Sequence, residues 1–257
     1  MSTVRLAVRQ ARYSAVSYLR NPPAVFFGLL LPVLFLLIFA TVFGNNDVDS
    51  RGGISQSTYY VPGLIALGIV STTFVNLALG LVVLRENRVL KRLRGTPLPA
   101  SAFLAGRVTT AVGMSVALTV VLLVIGRVAY GVDLPGSTAP GVILALVVGA
   151  ASFCSLGVAF STVVPNEDAG PAVVNAAVLP LYFISGVFFP TDDAPGWLNH
   201  VAEVFPIKHL AEALLEAFDP RTTGAGIAWG HLGIVALWGV AGALAATFTF
   251  RWTPKGE

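Results

Sequence analysis

The apolar positions of this chain neither scatter nor alternate. They gather into blocks close to the roughly 20-residue length that crosses a hydrocarbon layer as helix. Six blocks lie between charges and turn residues, over 24–44, 58–84, 104–128, 139–163, 170–189 and 228–250. Each is expected to be helical, because lipid offers the backbone no hydrogen-bond partner. Alternating segments of about ten residues, the signature of an outer-membrane barrel, do not occur. The run from Ala24 to Phe43 starts late and is longer than the core of a cleaved signal peptide, about 7–15 residues, so it reads as a retained first span.

Three segments follow the helical period without being spans. From Val4 to Arg20, Arg5, Arg9, Arg12 and Arg20 share one arc, opposite a face of Val4, Ala7, Ala11, Ala15 and Tyr18. This pattern describes a helix lying along the membrane surface, its charge turned to phosphates or an acidic partner, or serving only as a topology signal. Asn21-Pro22-Pro23 ends it. The second segment joins spans two and three, where Arg85, Arg88 and Arg92 take helical spacing among Val89, Leu90 and Leu93 before Gly95 and Pro97 stop the helix. Interleaved aliphatics in so short a basic loop favour a docking surface over bare positive charge. The third is the stretch from Pro190 to Gly226, whose apolar residues mark two short amphipathic helices broken at Pro206. Too short to cross, they are expected to re-enter the outer leaflet or lie on it. Trp197 and Trp229 suit the outer interface and Trp252 the inner one.

Composition agrees with a lipid solvent: 55% of residues are hydrophobic, 11% are charged, and the mean hydropathy is +0.79. Charge adds orientation. With the N-terminus cytoplasmic, twelve of the 16 basic residues fall inside and nine of the 13 acids outside, as the positive-inside rule requires. Pro165-Asn166-Glu167-Asp168 departs from the rule, and reads as a tight turn with a carboxylate cap for the next helix. The chain is expected to form one domain over 1–257.

Several chemistries are disfavoured. No lysine stands in a phosphate-binding glycine loop, so the chain is not itself a P-loop ATPase. His200, His209 and His231 have no Cys or Glu at metal-ligand spacing, and Cys154, alone in an apolar block, reads as a packing residue. The span interiors carry no Asp, Glu or Lys, which disfavours ion-coupled transporters and pumps. They carry aromatic and weakly polar residues instead: Phe26, Phe27, Phe35 and Phe39 in the first, Phe74 and Asn76 in the second, Asn175, Tyr182, Phe183 and Ser185 in the fifth. Such a lining suits an apolar or amphipathic substrate. Gly141, Ala145 and Gly149 repeat every fourth position and are expected to serve packing within the chain.

The basic surface helix, the six spans, the Arg-Glu-rich loop ending in Gly95-Thr96-Pro97 and the element Leu179 to Pro190, with its Ser185-Gly186-Val187-Phe188-Phe189-Pro190 end, resemble the type 2 permeases of ATP-binding-cassette exporters. Pro195-Gly196-Trp197-Leu198 and Pro206-Ile207 extend the match, and the drug and antibiotic efflux branch is the most similar. The resemblance implies an all-α integral membrane fold in a bacterial cytoplasmic membrane, working with two separate ATPase subunits that bind ATP and Mg. It also implies a second copy or a sister permease, lipid contact and no nucleic acid. Arg85, Glu86, Arg88, Val89, Leu90, Lys91, Arg92 and Leu93 would receive the ATPase stroke, with Arg5, Arg9 and Arg12 on the helix beside them. Phe35, Phe39, Phe74, Asn76, Asn175, Tyr182 and Phe183 would line the path, and Ser185, Gly186, Phe188, Phe189 and Pro190 would stand at the external gate. Alternatives are a polysaccharide or glycolipid exporter of the same layout, a sensor or scaffold, and a lipid-acting enzyme using Asp192, Asp193 and Glu203, which lack a paired base.

Overall fold

The computed structural model describes residues 3–42, 47–48, 54–95, 99–188 and 195–249. Apart from one antiparallel pairing of β1 (Asp47–Val48) with β2 (Ile54–Ser55), its regular structure is helical. The first helix, α1 (Thr3–Leu19), leaves Arg9 and Arg12 exposed, buries Ser14 and Tyr18 and half-buries Ala11 and Ala15, so these three members of the predicted stripe, Ala11, Ala15 and Tyr18, face the protein. Pro22 and Pro23 open α2 (Pro22–Val42), where their missing N–H groups cost nothing, and Asn21 Oδ1 accepts from the Ala24 N–H at 3.4 Å. A π-turn at Phe26–Leu30 follows, and there Gly28 leaves room for the Tyr18 hydroxyl, which donates to the Ala24 carbonyl at 3.1 Å. The end of α1 is thereby tied to the start of α2.

The axis of the molecule is α3, composed of Gln56–Val70, a π-turn at Ser71–Val75, and Asn76–Glu86. Every residue from Ser57 to Val70 is buried, enclosed by α2, α5 (Ala100–Tyr130), α6 (Ala139–Phe160) and α9 (Pro206–Phe218). A π-turn loosens the carbonyls before it, and here Thr72 and Thr73 donate to those of Gly68 (2.7 Å) and Ile69 (2.5 Å). Arg88, left-handed at φ 58, separates α3 from the short α4 (Val89–Arg94). Beyond α5, Gly131 at φ 69 supplies the left-handed C-cap that L side chains resist.

Among the described residues five helices are long and apolar enough to cross a bilayer: α2, α3, α5, α6 and α10 (Trp229–Thr249). The expected fifth span differs. Its helix α7 is Gly170–Ile184, 15 residues or about 22 Å. Gly186 at φ 75 then turns the chain into a buried loop through Phe188 instead of prolonging the helix to 189.

The break at Pro206 falls where the pattern places it, between α8 (Gly196–Val204) and α9. The two helices nevertheless differ. On α8 only Ala202 is buried and Trp197 is exposed, whereas α9 buries all of Pro206 to Ala211 and most of the rest. Ala211, Ala213 and Ala217 let it sit close against its neighbours inside the protein. The small residues of α6 do the same work: Gly141 meets the Gly226 carbonyl, Ala145 is fully buried, and Gly149 faces Leu210 and Ile69. That repeat packs within the chain.

Candidate coupling surface and transport path

The basic segment at 85–94 divides into two unlike parts. Arg85 closes α3 and is 3% exposed. Its guanidinium donates to the carbonyls of Ser161 (3.0 Å), Val164 (2.8 Å) and Pro165 (3.3 Å) and meets Glu86 Oε1 at 3.1 Å. Planar, charged and rich in donors, it locks the end of α3 to the turn between α6 and α7. Asn87 adds to the lock, its Nδ2 donating to Glu167 Oε2 at 3.0 Å. The acidic turn that disobeys the charge rule is thus joined to the basic loop.

Leu90 is buried with Leu81, Phe103 and Cys154 in a second apolar cluster. Of the residues expected at the coupling surface, Arg85 and Leu90 point inward. Arg88, Lys91 and Arg92 are exposed, and Glu86, Val89 and Leu93 are half-buried at their edge. Thr96 and Pro97 lie outside the described residues, as does the side chain of Arg5. Nearby, α1 packs along α5, where Gly106 accommodates Gln10 and Ala11 and the Thr110 hydroxyl donates to the Ala11 carbonyl at 3.0 Å. Arg9 lies over the Tyr13 ring, its hydrogen bond and then its charge holding the phenol below its ordinary range.

At the opposite end of α3 an aromatic cluster forms. Phe35 stacks on Phe39 at 5.5 Å, and Phe188 meets Phe35 and Phe183 at 5.3 Å each and Tyr182 at 6.4 Å. Tyr60 joins at 5.3 Å from Phe39. Of the proposed path residues, Phe35, Phe39, Tyr182 and Phe183 are brought together. Phe74 and Asn76 are not: Phe74 packs its ring on Phe160 of α6 at 5.2 Å, and Asn76 lies toward α1. Asn175 stands on the exposed face of α7. Within the single chain the second span is enclosed by its neighbours over residues 57–70.

The turn after α7 is held inside. Tyr59 donates to the Gly186 carbonyl at 2.5 Å, and the Val187 backbone presses on Gly63, where a β-carbon has no room. Ser185 and Phe188 are buried; Phe189 and Pro190 lie outside the described residues, with Asp192 and Asp193. Two polar contacts that the apolar pattern hides cross the middle of the bundle. Ser71 and Tyr182 hydroxyls lie 3.2 Å apart, joining α3 to α7, and those of Thr72 and Ser115 lie 2.6 Å apart, joining α3 to α5. In sequence their one signal is Ser71-Thr72-Thr73, three hydroxyls in succession within an apolar block.

A histidine pair also escapes sequence reasoning. His209 Nε2 lies 2.8 Å from the Glu203 carbonyl, which only accepts, so that nitrogen carries the proton. The Nδ1 atoms of His209 and His231 lie 2.8 Å apart and share a hydrogen bond, fastening α9 to α10. On α9 the Lys208 ammonium, almost buried, donates to Asn199 Oδ1 at 3.0 Å and meets Glu203 at 3.7 Å. Among the described residues no group of three His, Cys, Asp or Glu is placed to hold a metal.

Residues 8–218 match the family model of the ABC-2 type transporter. Over 197 residues the chain is 30% identical to the daunorubicin resistance ABC transporter permease protein DrrB1 of Streptomyces coeruleorubidus, a match covering 73% of this chain and 66% of that protein. It is 24% identical to the inner membrane transport permease YadH of Escherichia coli K12, across 74% of this chain and 75% of that one. The probable multidrug ABC transporter permease YbhR of the same strain is 23% identical, across 65% and 46%.

Proposed function

This chain belongs to the ABC-2 type transporter family, multi-pass membrane permeases that work with ATP-binding-cassette subunits, and from that premise we propose an exporter subunit for a hydrophobic or amphipathic substrate. In this reading ATP and Mg are bound by two separate ATPase subunits, the face bearing α4 is cytoplasmic, and substrate leaves on the side of α8 and α9. A second copy or a sister permease completes the path, because the Phe183 and Asn175 face of α7 and much of α2 are exposed in the single chain. The drug branch is supported by the likeness to a daunorubicin resistance permease.

The observation that carries the proposal is the continuity of α3. One of its ends holds the exposed Arg88, Lys91 and Arg92 edge, and the other reaches Tyr60 in the aromatic cluster. Arg85 binds three carbonyls of the α6–α7 turn, so a push on α4 moves α3 and the foot of α7 together. At the far end Tyr59 grips the Gly186 turn, and midway along α3 Ser71 meets Tyr182. Each nucleotide state of the ATPase then favours one of two arrangements, inward-open or outward-open.

Reconstitution with the cognate ATPase tests this. Arg88→Glu with Arg92→Glu is expected to abolish complex assembly and coupled ATP turnover while the permease keeps its thermal stability. Undiminished turnover would show that this edge is not where the ATPase acts.

A further inference from the structure

Four buried side-chain polar atoms among the described residues complete no hydrogen bond: Ser14 Oγ, Asn76 Nδ2, Arg107 Nε and Ser185 Oγ. Three of them belong to one place. Ser14 stands one helical turn before Tyr18 on α1. The Asn76 side chain reaches the Tyr18 hydroxyl, while burial pushes that phenol up to about 12; Asn76 Nδ2 itself completes no hydrogen bond. Asn76 in turn stands one helical turn before Gly80 on α3, and the Arg107 guanidinium fills the space that a side chain at 80 would take: a β-carbon there would lie 2.8 Å from Nη1. The circuit closes through Gly106, next to Arg107, which packs on Gln10, one turn before Ser14. Three helices therefore enclose a polar layer made by Gln10, Ser14, Tyr18, Asn76, Gly80 and Arg107.

This layer is rich in donors and carries one positive charge with no acid among its residues. Arg107 makes no ion pair among the described residues; its guanidinium lies over the face of Phe103, 5.8 Å from the ring centre, and its Nε completes no hydrogen bond. Buried donors are almost always paired, so three left open on three neighbouring helices call for an acceptor from outside the chain. A guanidinium with an amide and a hydroxyl beside it suits an anion with several oxygens, above all a phosphate.

Depth selects the source of that phosphate. Arg107 and Arg127 are the only charged residues of α5 and stand 20 positions apart, about 30 Å along a helix and about the thickness of the hydrocarbon core. Arg127 is exposed at one boundary and pairs with Asp133 at 2.9 Å. Arg107 then stands at the other, the boundary along which amphipathic α1 runs. We propose that this layer binds the phosphate of a membrane lipid from the leaflet bordering α1, with Arg107 as its main donor and Asn76 and Ser14 assisting. The lipid completes the joint between α1, α3 and α5. The proposal needs only that α5 crosses a bilayer, and is independent of substrate, transport direction and ATPase.

The full-length chain, purified in mild detergent, is titrated with phosphatidylglycerol and, separately, with diacylglycerol of the same tails and with inorganic phosphate, and bound molecules are counted by native mass spectrometry. The expected result is one tightly retained phosphatidylglycerol, no diacylglycerol, and affinity at least about tenfold weaker in Arg107→Gln but unchanged in Arg127→Gln. Equal retention by Arg107→Gln overturns the proposal. Inorganic phosphate that binds as well as the lipid overturns the lipid source in favour of a free anion. Should Arg107→Gln fail to fold by gel filtration, Asn76→Leu and Ser14→Ala decide, each expected to weaken retention several-fold; unchanged retention in both overturns the proposal equally.

Discussion

Two neighbouring apolar helices, α3 and α7, each with a proline inside and each feeding the same aromatic cluster, have opposite surroundings. From Ser57 to Val70, α3 is buried on every side. By contrast α7 buries one line, Gly170, Val174, Val178 and Tyr182, and exposes Asn175, Leu179 and Phe183. Hydropathy assigns an apolar helix to the membrane, but it does not choose its neighbours, because lipid tails are as apolar as leucine. What selects α3 as the axis is shape. Gly63 admits the Val187 backbone and Gly68 the Leu118 side chain, while Gly149 and Gly157 on α6 receive Ile69 and the Phe74 backbone.

The strongest way to break this contrast is to remove the fit at the axis. Gly63→Leu is expected to drive the Val187 turn away and cost about 3 kcal/mol or more. Thermal unfolding in detergent measures it, and a wild-type midpoint would mean that α3 is not the packed centre. Arg85→Ala comes next. It strips three carbonyls of a charged donor and is expected to cost about 2–3 kcal/mol, with faster hydrogen exchange at 161–168. Protection unchanged over that turn would remove the link between α3 and the foot of α7.

Two adjacent residues of α7 sharpen the comparison. Tyr182→Phe loses its hydroxyl contact with Ser71 and is expected to lower stability by about 1 kcal/mol. Phe183→Ala, one position on and exposed, is expected to stay within about 0.5 kcal/mol while reducing transport in the reconstituted complex. Smallest of all for the single chain is Asn175→Leu, also within about 0.5 kcal/mol. Its expected effect is on self-association read by energy transfer between labelled copies, since an amide on a lipid-deep face needs a partner.

Much of the fold was legible because the signals are local. Asn21-Pro22-Pro23 marked the corner from surface helix to membrane, and Pro206 the break between α8 and α9. The site was legible only in part. Arg85, Arg88 and Arg92 share one basic run, and nothing local tells that the first turns inward, since the carbonyls that receive it come from 161–165. Phe35 and Phe74 are equally apolar, yet one joins the cluster beside Phe188 and the other packs on Phe160. The contact of His209 with His231 joins different helices and has no spacing signature.

The sequence alone determined the solvent, the number of apolar blocks and, at Asn21-Pro22-Pro23 and Pro206, where the chain leaves the helix. Those follow from the cost of exposing backbone to lipid and from the fixed backbone angles of proline, both written in a few successive residues. The tertiary structure decided which helix is the axis, which arginine is a pin and which an exposed edge, and that the turn at Gly186 is clamped by Tyr59. Those depend on steric fit and on donors meeting acceptors brought from a hundred residues away. In a chain so uniformly apolar, no periodicity encodes them.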